Sequence, residues 1–92
     1  MKPLELTRHA VDKLATYGIQ GVRLATWHEA LHCGQTFIDV SSGMAGSVFW
    51  WEERPWVVSF SQDGEPVVTT YPTDERTVTN RRGGGRWIFS NT

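Results

Sequence analysis

A histidine and a lysine stand four residues apart near the start of the chain. These are His9 and Lys13, and Arg8 lies beside them. On an α-helix, residues four apart are neighbours on one surface, so the two side chains would share a face. An imidazole can exchange a proton and a neighbouring cation can stabilise negative charge, which together are the least that acid–base chemistry at a phosphate group requires. His9 and Lys13 are therefore candidate catalytic residues, and Arg8 is a candidate phosphate contact.

A second pattern has the HExxH spacing of zinc proteases: His28, Glu29 and His32. Two histidines at i and i+4 on one helix face can bind zinc while the glutamate between them activates water. A catalytic zinc also needs a third protein ligand, and no histidine follows residue 32. The distal carboxylates that remain are Glu52, Glu53, Asp63 and Asp74. We expect no metal or other cofactor and keep zinc binding by the HExxH residues as a minor hypothesis.

Two helices are predicted over about residues 7–33. Thr7 stands where an N-cap residue is expected, apolar residues then repeat at helical spacing, and Gly18 ends the pattern. The second helix follows the break at residues 18–21 and is expected to end at Gly34. Its apolar positions are Val22, Ala25, Ala30 and Leu31, with Leu24 and Trp27 beside them.

From residue 35 the apolar pattern changes to period two, which predicts strands over 36–40, 46–51, 56–60 and 66–71. The short turns between them favour antiparallel neighbours. Residues 73–92 are expected to form an arginine- and glycine-rich hairpin around 80–85 or an irregular tail. The whole chain, 1–92, is thus predicted to be one α+β domain, with two N-terminal helices packed on a four-stranded or larger antiparallel sheet.

Five tryptophans are many for 92 residues. Trp50 and Trp51 are adjacent, so in a strand they point to opposite faces and both faces need cover. Either the sheet is packed on one face by helices and on the other by a partner, or some indoles are exposed as a binding surface. Trp50 and Trp51 are therefore candidate binding residues.

The charges are unevenly distributed along the chain. Residues 1–75 contain all ten Asp and Glu, whereas residues 76–92 contain four arginines and no acid. These arginines are Arg76, Arg81, Arg82 and Arg86. A local basic segment on an acidic body suits contact with RNA or with an acidic protein surface. A solvated arginine-rich loop is the alternative.

The chain contains neither a secretion-signal pattern nor an apolar run of the ~20 residues that span a bilayer. Its single cysteine, Cys33, cannot form an internal disulfide. We therefore expect a cytoplasmic protein that has no membrane partner, with Cys33 as a half-buried structural thiol.

The order of these motifs resembles the small RelE/barnase-like toxin superfamily. The motifs are a Thr-x-His-Ala helix, a Gly-Ile break, an Ala-Leu-x-x-Gly second helix and strands ending in Val67-Val68-Thr69-Thr70-Tyr71-Pro72. The chain is most similar to compact domains of unknown function that open with a His-Ala helix. The resemblance covers about residues 4–72, and each motif is short.

The resemblance implies metal-independent RNA cleavage, in which the 2′-hydroxyl attacks the neighbouring phosphate. Such a reaction needs a base, an acid and cations that stabilise the charge on the phosphate. His9 falls on the superfamily's histidine, and Lys13 on a position that usually holds arginine. Thr69 and Tyr71 would face the site, and Arg76 or Arg86 would hold phosphate. An antitoxin is then a candidate partner.

A non-enzymatic function is the alternative. Exposed aromatic residues and arginines dominate protein interfaces, so the chain could be an inhibitor or adaptor of the kind that phages and mobile elements direct at host defence proteins. Arg81, Arg82 and an exposed tryptophan would then contact the host protein.

Overall fold

The computed structural model describes residues 6–60 and 67–89. Within them the chain forms three helices and five strands. In chain order these are α1 (Arg8–Thr16), α2 (Val22–Leu31), β1 (Gln35–Asp39), β2 (Ala45–Trp51), β3 (Arg54–Phe60), β4 (Val67–Pro72), α3 (Glu75–Gly83) and β5 (Trp87–Phe89). The strands form one antiparallel sheet in the order β4-β3-β2-β1-β5. The α+β class, the two leading helices and an antiparallel sheet of more than four strands are confirmed.

The prediction of a hairpin or irregular tail after residue 73 is wrong. Asp74 caps α3 by accepting a hydrogen bond from the backbone N–H of Thr77 at 2.7 Å. Glu75 in the first turn and two arginines in the last turn suit the helix dipole. The glycines at 83–85 therefore end a helix instead of closing a hairpin, and β5 pairs with β1. Residues 90–92 of that segment lie outside the described residues, as do Asp63 and Pro66.

The helices α1 and α2 form where the sequence predicts them, but α2 buries a different face from the predicted one. The Thr7 hydroxyl accepts from the Ala10 N–H at 3.1 Å, and Gly18 adopts a φ of 76° just after α1. Trp27, predicted to flank the apolar face of α2, is fully buried, whereas Val22 is 82% exposed. The face that α2 buries is therefore centred on its large indole.

The two faces of the sheet carry separate apolar clusters. We call the side covered by α1 and α2 the α1–α2 face and the opposite side the α3 face. The first cluster contains Ala10, Leu14, Ile19, Trp27, Leu31, Phe49, Trp56, Val58, Phe60 and Val67. The second contains Phe37, Val48, Val57 and Trp87, with Tyr71, Val78 and Phe89 packed against it. The sheet is thus covered on both sides, but by a single short helix on the α3 face.

A two-residue turn joins β2 to β3, because Trp51 pairs with Arg54. Glu52 and Glu53 between them have φ values of 51° and 67°. Two-residue hairpin turns of this kind need positive φ at both central positions, which normally favours Asn and Gly. Glutamates at these positions hold backbone strain, which costs of the order of 1 kcal/mol per residue.

We expect Glu53→Gly to stabilise the protein by about 1 kcal/mol, because glycine adopts positive φ without steric cost. Chemical unfolding monitored by tryptophan fluorescence would measure the change. Glu29→Gly, at an exposed position of α2, is the control and should destabilise by about 1 kcal/mol. A loss of stability in Glu53→Gly would show that the turn is not strained.

Asp39 ties the end of β1 to β5. Burial raises the pKa of Asp39, but hydrogen bonds from the Ser41 hydroxyl and N–H, a hydrogen bond from the Trp87 indole and the charge of Arg86 together lower it below its ordinary value of 3.8. Trp87 Nε1 donates to Asp39 Oδ2 at 3.3 Å, and Arg86 Nε lies 3.5 Å from Oδ1. The ionised carboxylate thus holds the last strand.

The pKa of Asp39 is lowered on folding, so its stabilising effect is present above the ordinary pKa and lost as the pH falls through the lower pKa of the folded protein. We therefore expect the difference in unfolding free energy between wild type and Asp39→Asn to shrink below about pH 4. Urea unfolding over a pH series would measure it. Asp12→Asn, whose side chain is 71% exposed, is the control. A difference that does not change with pH would contradict this role.

Candidate functional site

The predicted catalytic pair lies on the outer surface of α1. His9 is exposed and Lys13 is half-buried. Arg8 forms an ion pair with Asp12 at 4.0 Å, and both side chains are largely exposed. Because α1 packs on the α1–α2 face, any chemistry of His9 and Lys13 would take place on that side of the sheet.

Thr69 and Tyr71 lie on the α3 face. They pair with Ser59 and Val57, and Tyr71 packs against the α3-face cluster. A register shift beside Ser59 and Phe60 causes this placement, because Val67 pairs with Phe60 on the α1–α2 face whereas Thr69, two residues later, pairs with Ser59 on the α3 face. The sheet therefore separates Thr69 and Tyr71 from His9 and Lys13, and the structure does not bring the four together.

The HExxH residues lie at the end of α2. His28 is in the last turn, His32 is the C-cap residue, and the two rings are 5.0 Å apart. Nδ1 of His32 is 2.8 Å from the backbone oxygen of His28. In residues 6–60 and 67–89 no group of three His, Cys, Asp or Glu side chains could hold a metal ion. Glu52, one of the distal carboxylates, instead pairs with Arg23 at 2.5 Å.

The arginines of the last segment have different surroundings. Arg86 pairs with Asp39, whereas Arg76 is exposed on α3. Arg81 lies over the ring of Trp87 at 5.4 Å. Arg82 lies over the ring of Phe89 at 4.3 Å. Cation–π contacts of this kind hold α3 against β5 and fix the directions of its arginines.

A groove of about 370 Å³ separates α3 from strands β1 and β2. Gln35, Val48 and Trp50 line it from the sheet, and Glu75, Thr79 and Arg82 line it from α3. Trp50 is 54% exposed, whereas Trp51 is half-buried and packs against the α1–α2 cluster. The two tryptophans therefore point to opposite faces, as the strand periodicity predicts, and only Trp50 reaches the groove.

The guanidinium of Arg82 is held in this groove from two sides. Its Nη2 donates to Gln35 Oε1 at 2.7 Å, and its Cζ lies over the ring of Phe89. Gln35 pairs with Val48, two residues from Trp50 on the same strand. Two residues of strand span about 7 Å, so the indole of Trp50 and the cation of Arg82 mark two neighbouring subsites. Glu75 lies seven residues before Arg82, about 10 Å away along the helix axis.

The sequence patterns predicted Trp50 and Arg82 as binding residues but did not indicate Gln35, Glu75 or Thr79. The signal for the α3 residues was present: Asp74 can cap a helix, and 75, 78, 79 and 82 follow the i, i+3, i+4, i+7 spacing of one helical face. Cys33 also lines the groove and is exposed, where a half-buried thiol was expected.

Comparison with protein-family models, curated proteins and solved structures finds no match to this chain. None of the helices in residues 6–60 and 67–89 is long and apolar enough to cross a membrane.

We expect zinc to have no effect on the thermal midpoint of the protein, because the HExxH residues have no third ligand in the described part of the chain. Thermal unfolding with added Zn²⁺ and with EDTA would measure this. A zinc-dependent rise in the midpoint that is lost in His32→Ala would contradict the expectation.

Proposed function

We propose that the protein binds single-stranded RNA in the groove between α3 and strands β1 and β2. The observation that carries the proposal is the pairing of an exposed indole, Trp50, with a fixed guanidinium, Arg82, in one groove. Proteins that bind single strands combine aromatic platforms for bases with cations for the backbone. Trp50 stacks a base, and Arg82 binds the phosphate beside it.

The fixed position of Arg82 supports phosphate binding. A guanidinium offers five N–H donors in a rigid fork, and the bond to Gln35 uses only one of its nitrogens. Because the side chain is already held by Gln35 and Phe89, little of its conformational freedom is lost when a phosphate binds. The resemblance to the toxin superfamily points to the same class of ligand.

Binding of RNA in the groove is distinct from cleavage of RNA. Attack by the 2′-hydroxyl requires a base and an acid at one phosphodiester. His9 lies on the other side of the sheet. The carboxylate that lines the groove, Glu75, is at the start of α3, whereas Arg82 is in the last turn, so the two do not meet at one phosphodiester. Incubation of the purified protein with RNA in EDTA, compared with His9→Ala, tests whether the exposed surface of α1 adds a metal-independent ribonuclease activity.

We expect Trp50→Leu to weaken binding of a fluorescein-labelled unstructured RNA about tenfold, because one base loses its stacking platform. Fluorescence anisotropy would measure the dissociation constant. Val22→Ala is the control, since Val22 is an apolar residue of α2 that is 82% exposed and does not line the groove. Equal losses of affinity in the two variants, or no binding of the RNA by the wild-type protein, would contradict the proposal. Binding of fluorescein-labelled polyglutamate, with no binding of the RNA, would favour an acidic protein partner.

Arg82→Gln should reduce both the affinity for RNA and its salt dependence, lowering the slope of log K against log salt by about 0.7 for the lost phosphate contact. Arg76→Gln removes the same charge from the exposed surface of α3 and is the control, with a change below about twofold. Identical salt slopes for the two variants would show that the binding is general electrostatic attraction and not recognition in the groove.

A further inference from the structure

The helix α3 runs along the groove from the end that holds Trp50 to the end that holds Arg82. Just before its start, the Thr73 N–H donates to the Pro55 oxygen at 2.9 Å, and Pro55 pairs directly with Trp50. In its last turn, Arg82 is bonded to Gln35 of β1. Because the ribose of a nucleotide joins its base to its phosphate, the polar side chains between these two ends lie beside the sugar of a bound strand.

The bond to Arg82 determines how the amide of Gln35 is oriented. A guanidinium only donates hydrogen bonds, so the amide atom that faces Arg82 has to be the carbonyl oxygen. The amide nitrogen, with its two N–H donors, is the other branch of the same planar group. In residues 6–60 and 67–89 this nitrogen has no hydrogen-bond partner, and Gln35 is an exposed residue that lines the groove. Gln35 thus offers a donor of fixed orientation next to the cation.

Thr79 supplies a hydroxyl from the other wall of the groove. It lines the groove three residues before Arg82, which is about 4.5 Å along the helix axis towards the Trp50 end. The side chain is exposed, and a hydroxyl can both donate and accept a hydrogen bond. Gln35 and Thr79 therefore place polar groups on both sides of the path between the aromatic platform and the cation.

The polar group that a ribonucleotide presents between its base and its phosphate is the 2′-hydroxyl. This hydroxyl donates and accepts hydrogen bonds, and it lets a protein distinguish RNA from DNA at a given site. It is attached to the carbon next to the one that carries the 3′-phosphate, so it lies close to a cation that binds this phosphate. An amide donor and a hydroxyl beside a fixed arginine are complementary to this arrangement.

We propose that the groove selects RNA over single-stranded DNA by contacting the 2′-hydroxyl of the nucleotide stacked on Trp50. Nε2 of Gln35 donates to this hydroxyl, and Oγ1 of Thr79 accepts from it. Arg82 binds the phosphate on the 3′ side of the same nucleotide. The inference rests on the RNA binding proposed above. An aromatic platform and a cation alone do not separate the two polymers, since both polymers have bases and phosphates.

The test compares fluorescein-labelled oligouridine with oligodeoxyuridine of the same length, by fluorescence anisotropy with the full chain. We expect the RNA to bind about tenfold more tightly, as for two neutral hydrogen bonds at an exposed site. Equal affinities, or tighter binding of the DNA, would overturn the selection of RNA and leave single-strand binding in place. If neither strand binds, both the selection and the proposed function are overturned.

Oligouridine with 2′-fluorine in place of the hydroxyl separates the hydroxyl from the shape of the sugar. The fluorine keeps the sugar pucker of RNA and removes the O–H donor. We expect this strand to bind about as weakly as the DNA. Affinity equal to that of unmodified RNA would show that the groove recognises the sugar pucker, and it would overturn the proposal.

Thr79→Val should lower the ratio of RNA affinity to DNA affinity about threefold, because only the RNA loses a hydrogen bond. Thr36→Val is the matched control, since Thr36 is exposed, follows Gln35 in β1 and therefore lies on the other face of the sheet. The control should keep the wild-type ratio. An unchanged ratio in Thr79→Val would contradict the contact with the 2′-hydroxyl.

Gln35→Met removes the amide at similar length and should also lower the ratio about threefold. The loss of affinity that is common to RNA and DNA in this variant measures how much Gln35 contributes by holding Arg82. The further loss that is seen with RNA alone measures the contact with the 2′-hydroxyl. Equal losses for the two polymers would limit Gln35 to holding Arg82 and contradict its role in selection.

Discussion

The packing around Trp56 joins most of the domain. Its ring makes edge-to-face contacts with Tyr17 at the end of α1, with Trp27 of α2 and with Trp51 of β2, at centroid distances of 5.5 to 6.0 Å. Each such pair contributes about 0.5–1.5 kcal/mol beyond the buried area. Two helices and one neighbouring strand therefore meet on one side chain of β3. This cluster fixes which face of the sheet α1 and α2 cover.

Once that face is filled, the α3 face receives little cover. None of the residues of α3 is buried, and Val78 is its single apolar residue packed against the α3-face cluster, so the helix has no apolar stripe to dock with. Just before its start, Thr73 N–H donates to the Pro55 oxygen of β3, and at its end two arginines lie over Trp87 and Phe89. A helix attached by polar and cation–π contacts stays further from the sheet than one packed by leucines. The open groove is a consequence of this attachment.

The sequence predicted those features that depend on neighbouring residues. Thr7 and Gly18 fix α1 locally, and the alternation in β2 places Trp50 and Trp51 on opposite faces. The helix α3 has local signals in the Asp74 cap and the spacing of its groove residues, but three glycines in a row suggested a loop instead. What depends on distant residues is its docking, since its arginines need the rings of β5. The resemblance placed Thr69 and Tyr71 in one site with His9, which requires both on the α1–α2 face. One register shift beside Phe60 moves these residues to the other face, and no local pattern announces it.

The two concave sites share strand β2, yet the structure gives each its own support. Trp50 enters the groove, where Gln35 and Phe89 fix the arginine beside it. Trp51 enters a smaller cleft on the α1–α2 face, where Arg23 and the strained β2–β3 turn form the wall. A ligand in the groove contacts a loosely attached helix, whereas a ligand in the cleft contacts the aromatic cluster that holds the fold together. Two equally tight ligands would stabilise the native state equally against global unfolding, but only a ligand in the groove would oppose the detachment of α3, since the α1–α2 face stays packed when α3 opens. The weak attachment of α3 makes its detachment the first opening, because regions with few buried apolar contacts open first.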